Sequence, residues 1–248
     1  MAQASKKKPA GKGSRSKASR AKARVRPARL ALKWLLRGAL AAVALLFLAV
    51  LGYAVFNPPV TPYMAAEARR LGGVDHIWVD FEEIAPVMAR SVVAGEDANY
   101  CLHWGFDMAA IRDALEDGSG RGASTISQQV VKNAYLWQGR SWARKALEAV
   151  MTPAVELVWT KRRILEVYLN VAEFGEGVFG VEAAARTYFR VGPGELTATQ
   201  AARLAAVLPS PKKRSAANPS PFVRRRAAAI ADGAATILAD GRAACFES

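Results

Sequence analysis

The chain has 248 residues, room for one substantial domain with appendages, and a formal net charge of +14. Thirteen of its 35 Lys and Arg residues fall within residues 1–37, which hold no acid, so the remainder sets 22 basic residues against 21 acidic ones. A basic tail rather than a basic domain carries the excess, which argues against nucleic acid as the domain's partner. Cys101 and Cys245 fit no disulfide framework and no zinc spacing, and His76 and His103 lack metal-ligand spacing, so no protein-held metal is expected. Whether the two cysteines pair in an oxidising compartment is not decided by their positions in sequence.

In chain order, residues 1–37 are rich in Lys, Arg, Ala, Ser and Gly, a composition that predicts disorder. Residues 38–56 follow, 19 positions without a charge. As a helix they rise about 28 Å, close to the hydrocarbon thickness of a bilayer. The basic residues before them predict a cytoplasmic N terminus, with residues 57–248 as the domain beyond the span. A cleaved signal peptide is the rival, with Gly52-Tyr53-Ala54 as its cleavage site, but the basic and apolar stretches are both longer than that pattern. Asn57-Pro58-Pro59-Val60-Thr61-Pro62 reads as an extended linker. Residues 77–81 read as a short strand and 81–94 as a helix with Ile84, Val87, Met88 and Val92 on one side.

Asp107 is placed to cap a helix running to Glu116 and stopped by Asp117-Gly118. Residues 118–122 read as a mobile glycine-rich loop without the Gly-Lys-Ser/Thr ending of a nucleotide P-loop. Thr125 with Gln128 forms a capping box for a helix through Leu136. Ser141 caps residues 142–151, and Pro153 sits near the start of the next helix. Residues 161–172 carry an apolar stripe of Ile164, Leu165, Tyr168 and Leu169. A glycine-punctuated turn at 173–180 precedes a helix at 181–189. Thr197 and Gln200 repeat the capping box, and Ser220-Pro221 starts a last helix. No alternation is long enough for a sheet core, so the soluble part is mainly α.

Several constellations suggest chemistry. Glu96 and Asp97 emerge where the run Ser91-Val92-Val93-Ala94 ends. Desolvation there raises a carboxyl pKa and suits a general base or acid, while solvating a helix end is an equally good account. Ser124, Thr125, Gln128, Gln129, Lys132 and Asn133 place hydroxyls, amides and one Lys at a helix start, a lining for a polar ligand unless the face is simply solvated. Arg144, Lys145 and Glu148 are spaced for an intrahelical ion pair, or for a fork and a point charge on a pyrophosphate. Lys161, Arg163, Glu166 and Asn170 share one side of their helix and read as mostly structural.

These residues stand in ordered motifs: E-D-x-x-Y-x-x-H-W-G-F-D (96–107), G-x-S-T-I-x-Q-Q-x-x-K-N (122–133), R-K-x-x-E (144–148) and K-x-R-I-L-E-x-Y-L-N (161–170). A run from Gly177 through Ala183-Ala184 to Tyr188-Phe189 follows. The set resembles the successive motifs of the family 51 glycosyltransferases, the peptidoglycan glycosyltransferases, over residues 80–190. Tyr100 stands where that family usually has Phe. No Ser-x-x-Lys with a following Lys-Thr-Gly marks a transpeptidase, so the resemblance is to the monofunctional branch.

The resemblance implies a lysozyme-like helical catalytic domain behind one N-terminal transmembrane helix. It also implies polymerisation of lipid II on the growing lipid-linked glycan strand by β-1,4 linkage, with release of undecaprenyl pyrophosphate. Glu96 is then the general base and Glu148 the second essential acid. Lys132, Arg144 and Lys145 bind the leaving pyrophosphate, and Asp97, Ser124, Gln128, Gln129 and Asn133 shape the donor cleft. His103, Gly105 and Asp107 hold the backbone of the first motif. No cofactor is required, with magnesium or manganese a candidate helper at the pyrophosphate. The implied setting is the inner membrane, single-pass with the domain extracytoplasmic, among cell-wall synthesis or division proteins. A glycan-cleaving lytic enzyme and a non-catalytic scaffold are the rival readings.

Overall fold

The computed structural model describes residue 1 and residues 17–116, 124–139 and 141–247, by backbone alone at 17–28 and 115. The chain divides into two compact units, residues 1–48 and 49–248. Helix α1 (Lys17–Val55) begins well before the apolar run. Residues 17–37, expected to be disordered, are therefore helical: Ala, Lys, Arg and Leu are strong helix formers, and a helix nucleated in the apolar run propagates through them. Over Arg29–Val55 the helix is long and apolar enough to cross a membrane. Leu35, Leu40, Leu45 and Leu48 are exposed along it, as suits a helix whose apolar surface meets lipid.

In the second unit the end of α1 is bound in place through its backbone carbonyls. Trp159 Nε1 donates to Val50 O at 2.8 Å, and Arg163 donates to Tyr53 O at 3.1 Å and Phe56 O at 3.0 Å. After a non-helical stretch, Thr61 caps α2 (Pro62–Leu71), with Pro62 in its first turn. The strand expected at 77–81 is absent; β1 is Asp75–His76 instead. The reason is that Val79 spends both backbone groups on one side chain, its N–H donating to Asn170 Oδ1 at 2.9 Å and its C=O accepting from Asn170 Nδ2 at 2.9 Å. Residues 81–83 form a 3-10 turn, and α3 (Pro86–Glu96) starts only at Pro86, because the residue before a proline is held out of helical geometry.

Asp107 caps α4 (Met108–Glu116), its Oδ1 accepting the Ala110 amide at 2.9 Å. The stop at 117–118 and the loop at 118–122 lie outside the described residues. The capping box of Thr125 and Gln128 opens α5 (Ile126–Tyr135). Ser141 caps α6 (Trp142–Val158), which runs through Pro153 rather than restarting there. Pro153 gives up the N–H for the carbonyl four residues back and crowds that carbonyl with its ring, a local cost that the helix bears, and just before it Thr152 Oγ1 donates to Glu148 O at 2.7 Å. Then come α7 (Lys161–Val171), the hairpin β2 (Glu173–Gly175) and β3 (Val178–Phe179), and α8 (Val181–Phe189). The sheet order is β1-β3-β2, with β1 parallel and β2 antiparallel to β3.

The second capping box opens α9 (Ala198–Val207), Ser220 caps α10 (Pro221–Ala239), and a short α11 (Ala244–Glu247) closes the described chain. Two groups of helices make the core: α3 with α9 and α10, and α5 with α6 and α7. Met88, Val92 and Leu204 are buried in the first, and Val130, Val155, Ile164 and Leu165 in the second. Each such side chain contributes about 1.5–3 kcal/mol by leaving water. Gly95 allows α10 close to α3, since a Cβ there would stand 3.0 Å from Ile230 Cδ1. Cys101 and Cys245 form a disulfide with Cα atoms 5.7 Å apart, joining α11 to the turn after α3.

Candidate active site

The carboxylate of Glu96 ends α3 where the helix breaks, Asp97 turning to φ −161° and ψ 69°. Its side chain is only 10% exposed. Gln129, one turn into α5, donates Nε2 to Glu96 Oε2 at 3.1 Å, and its own Oε1 accepts from Tyr168 Oη at 3.0 Å on α7. The chain Tyr168–Gln129–Glu96 thereby fixes the amide so that its N–H₂ end meets the acid. Burial raises the Glu96 carboxyl above its usual range, against the Gln129 bond and the charges of Arg226, Lys132 and Arg214. A carboxylate so placed is a stronger base than a solvated one.

Asp97 turns the other way. Its Oδ1 lies 2.8 Å from His103 Nε2 and its Oδ2 accepts the Ile126 amide at 2.9 Å. Thr125 Oγ1 donates to Gly105 O at 2.7 Å. Gly105 has φ +84°, and a Cβ there would approach Thr152 Cγ2 to 2.7 Å, so the turn requires glycine. Asp97, His103 and Asp107 offer ligand atoms within 4.8 Å of one another. Each carboxylate oxygen there already has a partner, Asp107 using Oδ1 on Ala110 N and Oδ2 on Asn99 Nδ2 at 2.9 Å. His103 Nδ1 is buried without a hydrogen-bond partner among the described residues.

Two cavities flank Glu96. One, of about 310 Å³, is lined by Gln129, Lys132, Asn133 and Tyr168, with Tyr63, Glu173, Lys212 and Lys213 opposite. The other, of about 480 Å³, is lined by Glu96, Asp97, Asn99, Ser124 and Thr125. Lys132 makes no hydrogen bond or ion pair among the described residues, and burial, then the charge of Arg144, lowers its pKa. Arg144, Lys145 and Glu148 form the ion cluster that their spacing allows. Buried Glu148 contacts Arg144 and accepts from Lys145 Nζ at 2.9 Å, while Lys145 also donates to Ser124 Oγ at 3.2 Å. Both cations are thus held by Glu148 beside the cavity wall, Arg144 further steadied by Gly139 O at 2.8 Å.

The structure gathers most of the residues singled out in the sequence. Gln129, Lys132 and Asn133 line the first cavity and Glu96 and Ser124 the second, the two joined by the Gln129–Glu96 bond, and Ser124 carries the line on to Lys145 and Glu148. Gln128 lines neither cavity; its Oε1 accepts the Thr125 amide at 3.0 Å and only 5% of the residue is exposed. Its place is in the helix cap. Lys161 pairs with Glu156 at 2.8 Å, Arg163 with Glu166 at 2.9 Å, and Asn170 with Val79, all packing roles. Missed in the sequence were Tyr63, Glu173, Lys212, Lys213, Arg214 and Arg226. The usable signal was two basic runs, 212–214 and 224–226, in a domain whose charges nearly cancel in sum.

A family model described as Transglycosylase matches residues 65–235. The chain is also 63% identical over 214 residues to a biosynthetic peptidoglycan transglycosylase of Jannaschia sp. (strain CCS1), covering 86% of this chain and 90% of the relative. Proteins of the same description are similar at 47% in Xanthomonas campestris pv. campestris (strain B100), covering 83% and 88%, and at 44% in Caulobacter vibrioides, covering 85% and 96%.

Proposed function

The chain belongs to the transglycosylase family of peptidoglycan synthesis, and from that premise we propose that it polymerises glycan strands from lipid II. Glu96 accepts the proton of the incoming 4-hydroxyl as that oxygen attacks the anomeric carbon of the lipid-linked donor strand. The new C–O bond forms with inversion, giving a β-1,4 link, and the bond to undecaprenyl pyrophosphate breaks with its electron pair on the leaving oxygen. The leaving group needs its charge stabilised rather than a proton, and Lys132 with Arg144 and Lys145 supplies that. Glu148 positions the last two. Ser124, Gln129 and Asn133 line the donor cleft, and Asp97 and Gln128 hold its frame.

The observation that carries this reading is a buried carboxylate, Glu96, aimed by Gln129, near an ammonium, Lys132, that is unpaired among the described residues. A divalent cation does not suit the residues at the proposed pyrophosphate position. The Glu148 carboxylate is already met by two protein cations, which oppose a third. The apolar helix at Arg29–Val55 supports a single-pass anchor, and the Cys101–Cys245 disulfide supports an extracytoplasmic domain with the N terminus cytoplasmic.

The test is incubation of the detergent-solubilised full chain with labelled lipid II, with wild type and Glu96→Gln resolved side by side by gel. Lysozyme-sensitive polymer from wild type alone is expected. Shortening of added glycan without polymer would replace the reading with a lytic enzyme, and neither activity would replace it with a scaffold.

A further inference from the structure

Glu96 is approached from a direction that the sequence motifs do not contain. Arg226, on α10, lies 130 residues beyond it in the chain and brings Nη2 to 3.4 Å from Glu96 Oε1. The same nitrogen donates to the Gly95 carbonyl at 3.0 Å. Arg226 Nε is buried without a hydrogen-bond partner among the described residues, so the guanidinium is placed by these contacts and not by a wider network. The approach depends on packing. Ile230, one turn after Arg226, rests against Gly95, where an added Cβ would stand 3.0 Å from its Cδ1 and push that side chain aside.

We propose that Arg226 is a positioning residue for Glu96, holding the carboxylate so that Oε1 faces the acceptor hydroxyl. This rests on the reading of Glu96 as the general base. The two distances carry the argument. A charge-assisted bond to a carboxylate closes to about 2.7–2.9 Å and would occupy the lone pair that a base must keep open. Arg226 instead makes its closer bond to the Gly95 backbone oxygen at 3.0 Å and meets the acid at a longer 3.4 Å. Its charge is therefore fixed in place whatever the protonation state of Glu96, while Gln129 holds the other oxygen. Glu96 is thus gripped at Oε2 and steered at Oε1.

The charged and titratable groups facing Glu96 are Arg226 from α10, Arg214 from the turn after α9, Lys132 from α5 and Tyr168 from α7. Arg214 donates to Ala206 O at 3.1 Å and lies over the Phe222 ring at 5.1 Å, so it contributes charge from farther off without touching the acid. Arg226 is the one of these cations in contact with Glu96. Removing it leaves burial less opposed, so the carboxyl holds its proton to higher pH and the base form is lost earlier on acidification.

The experiment is steady-state lipid II polymerisation by the full chain from about pH 5 to 9, with wild type, Glu96→Gln, Arg226→Gln, Arg226→Met and Arg226→Lys, each checked by thermal unfolding. Arg226→Gln is expected to lower kcat about tenfold at neutral pH with KM within about twofold, and to move the acid limb up by about one pH unit. Arg226→Lys keeps the charge without the fork and is expected to return the limb to within about half a unit of wild type. Arg226→Met, which keeps an apolar stem against α3, repeats the test if the glutamine variant does not fold. An unmoved limb in a folded neutral variant would overturn the proposal. So would failure of both neutral variants to fold, which would make Arg226 a structural residue. Activity in Glu96→Gln would instead overturn the reading of Glu96 itself.

Discussion

Asp97 Oδ2 accepts the backbone N–H of Ile126 at 2.9 Å and so ties the end of α3 to the first turn of α5. A carboxylate at a helix start satisfies an amide that has no partner within the helix and meets the positive end of its dipole. With Oδ1 on His103, the same side chain joins two motifs around Glu96. Asp97→Ala should therefore cost about 2–3 kcal/mol of stability, because it strands a buried amide and an imidazole together. Asp97→Asn, which keeps an acceptor for Ile126, should cost less. Urea denaturation of the two variants checks this, and equal losses would refute it.

The disulfide closes a loop with a sequence separation of 144. It is accompanied by Arg242 Nη1 donating to Ala98 O at 3.0 Å and by an Arg90–Glu247 pair at 2.7 Å, both fastening the C-terminal segment near the first motif. Replacing Cys101 and Cys245 together by serine should lower stability by about 3–5 kcal/mol. Denaturation with and without reductant should show wild type falling to the level of the double variant when reduced. A reductant-insensitive midpoint would count against the bond.

Glu96 should be a cost to the fold at neutral pH. Its folded carboxyl is raised by burial above the unfolded value, so its favourable contribution is complete below the unfolded pKa and is lost as pH rises through the folded one. Glu96→Gln should accordingly stabilise the protein by on the order of 1 kcal/mol at pH 7, while abolishing polymerisation. Near pH 4 the gain should vanish. Thermal melts at the two pH values measure it, and a variant less stable than wild type at pH 7 would contradict the burial argument.

Lys132 presents to the cavity an ammonium with no hydrogen-bond or ion-pair partner among the described residues, so its removal should affect chemistry and not folding. Lys132→Ala should leave the melting temperature unchanged or slightly raised. It should reduce kcat about 100- to 1,000-fold, the range found when one preorganised donor to a developing negative charge is removed. Loss of stability in this variant would point to a packing role instead.

Much of this protein was determined within short stretches of its sequence. The capping boxes at Thr125–Gln128 and Thr197–Gln200, the caps at Asp107, Ser141 and Ser220, and the Glu148 ion cluster all join residues three or four apart. Such contacts form wherever the chain is helical, so pattern alone reveals them. The apolar span was legible for a similar reason, since composition over 19 residues decides whether a helix suits a bilayer. What failed were the features set by distant partners. Asn170 takes the backbone of Val79 out of any strand, and helix α6 runs through Pro153 within its packing against α5. Only the tertiary structure decided that Cys101 meets Cys245, that Gln128 lines neither cavity, and that Arg226 comes to Glu96. Those pairings depend on how α3, α5 and α10 pack, and the surfaces that bring them together are complementary only once the whole core has formed.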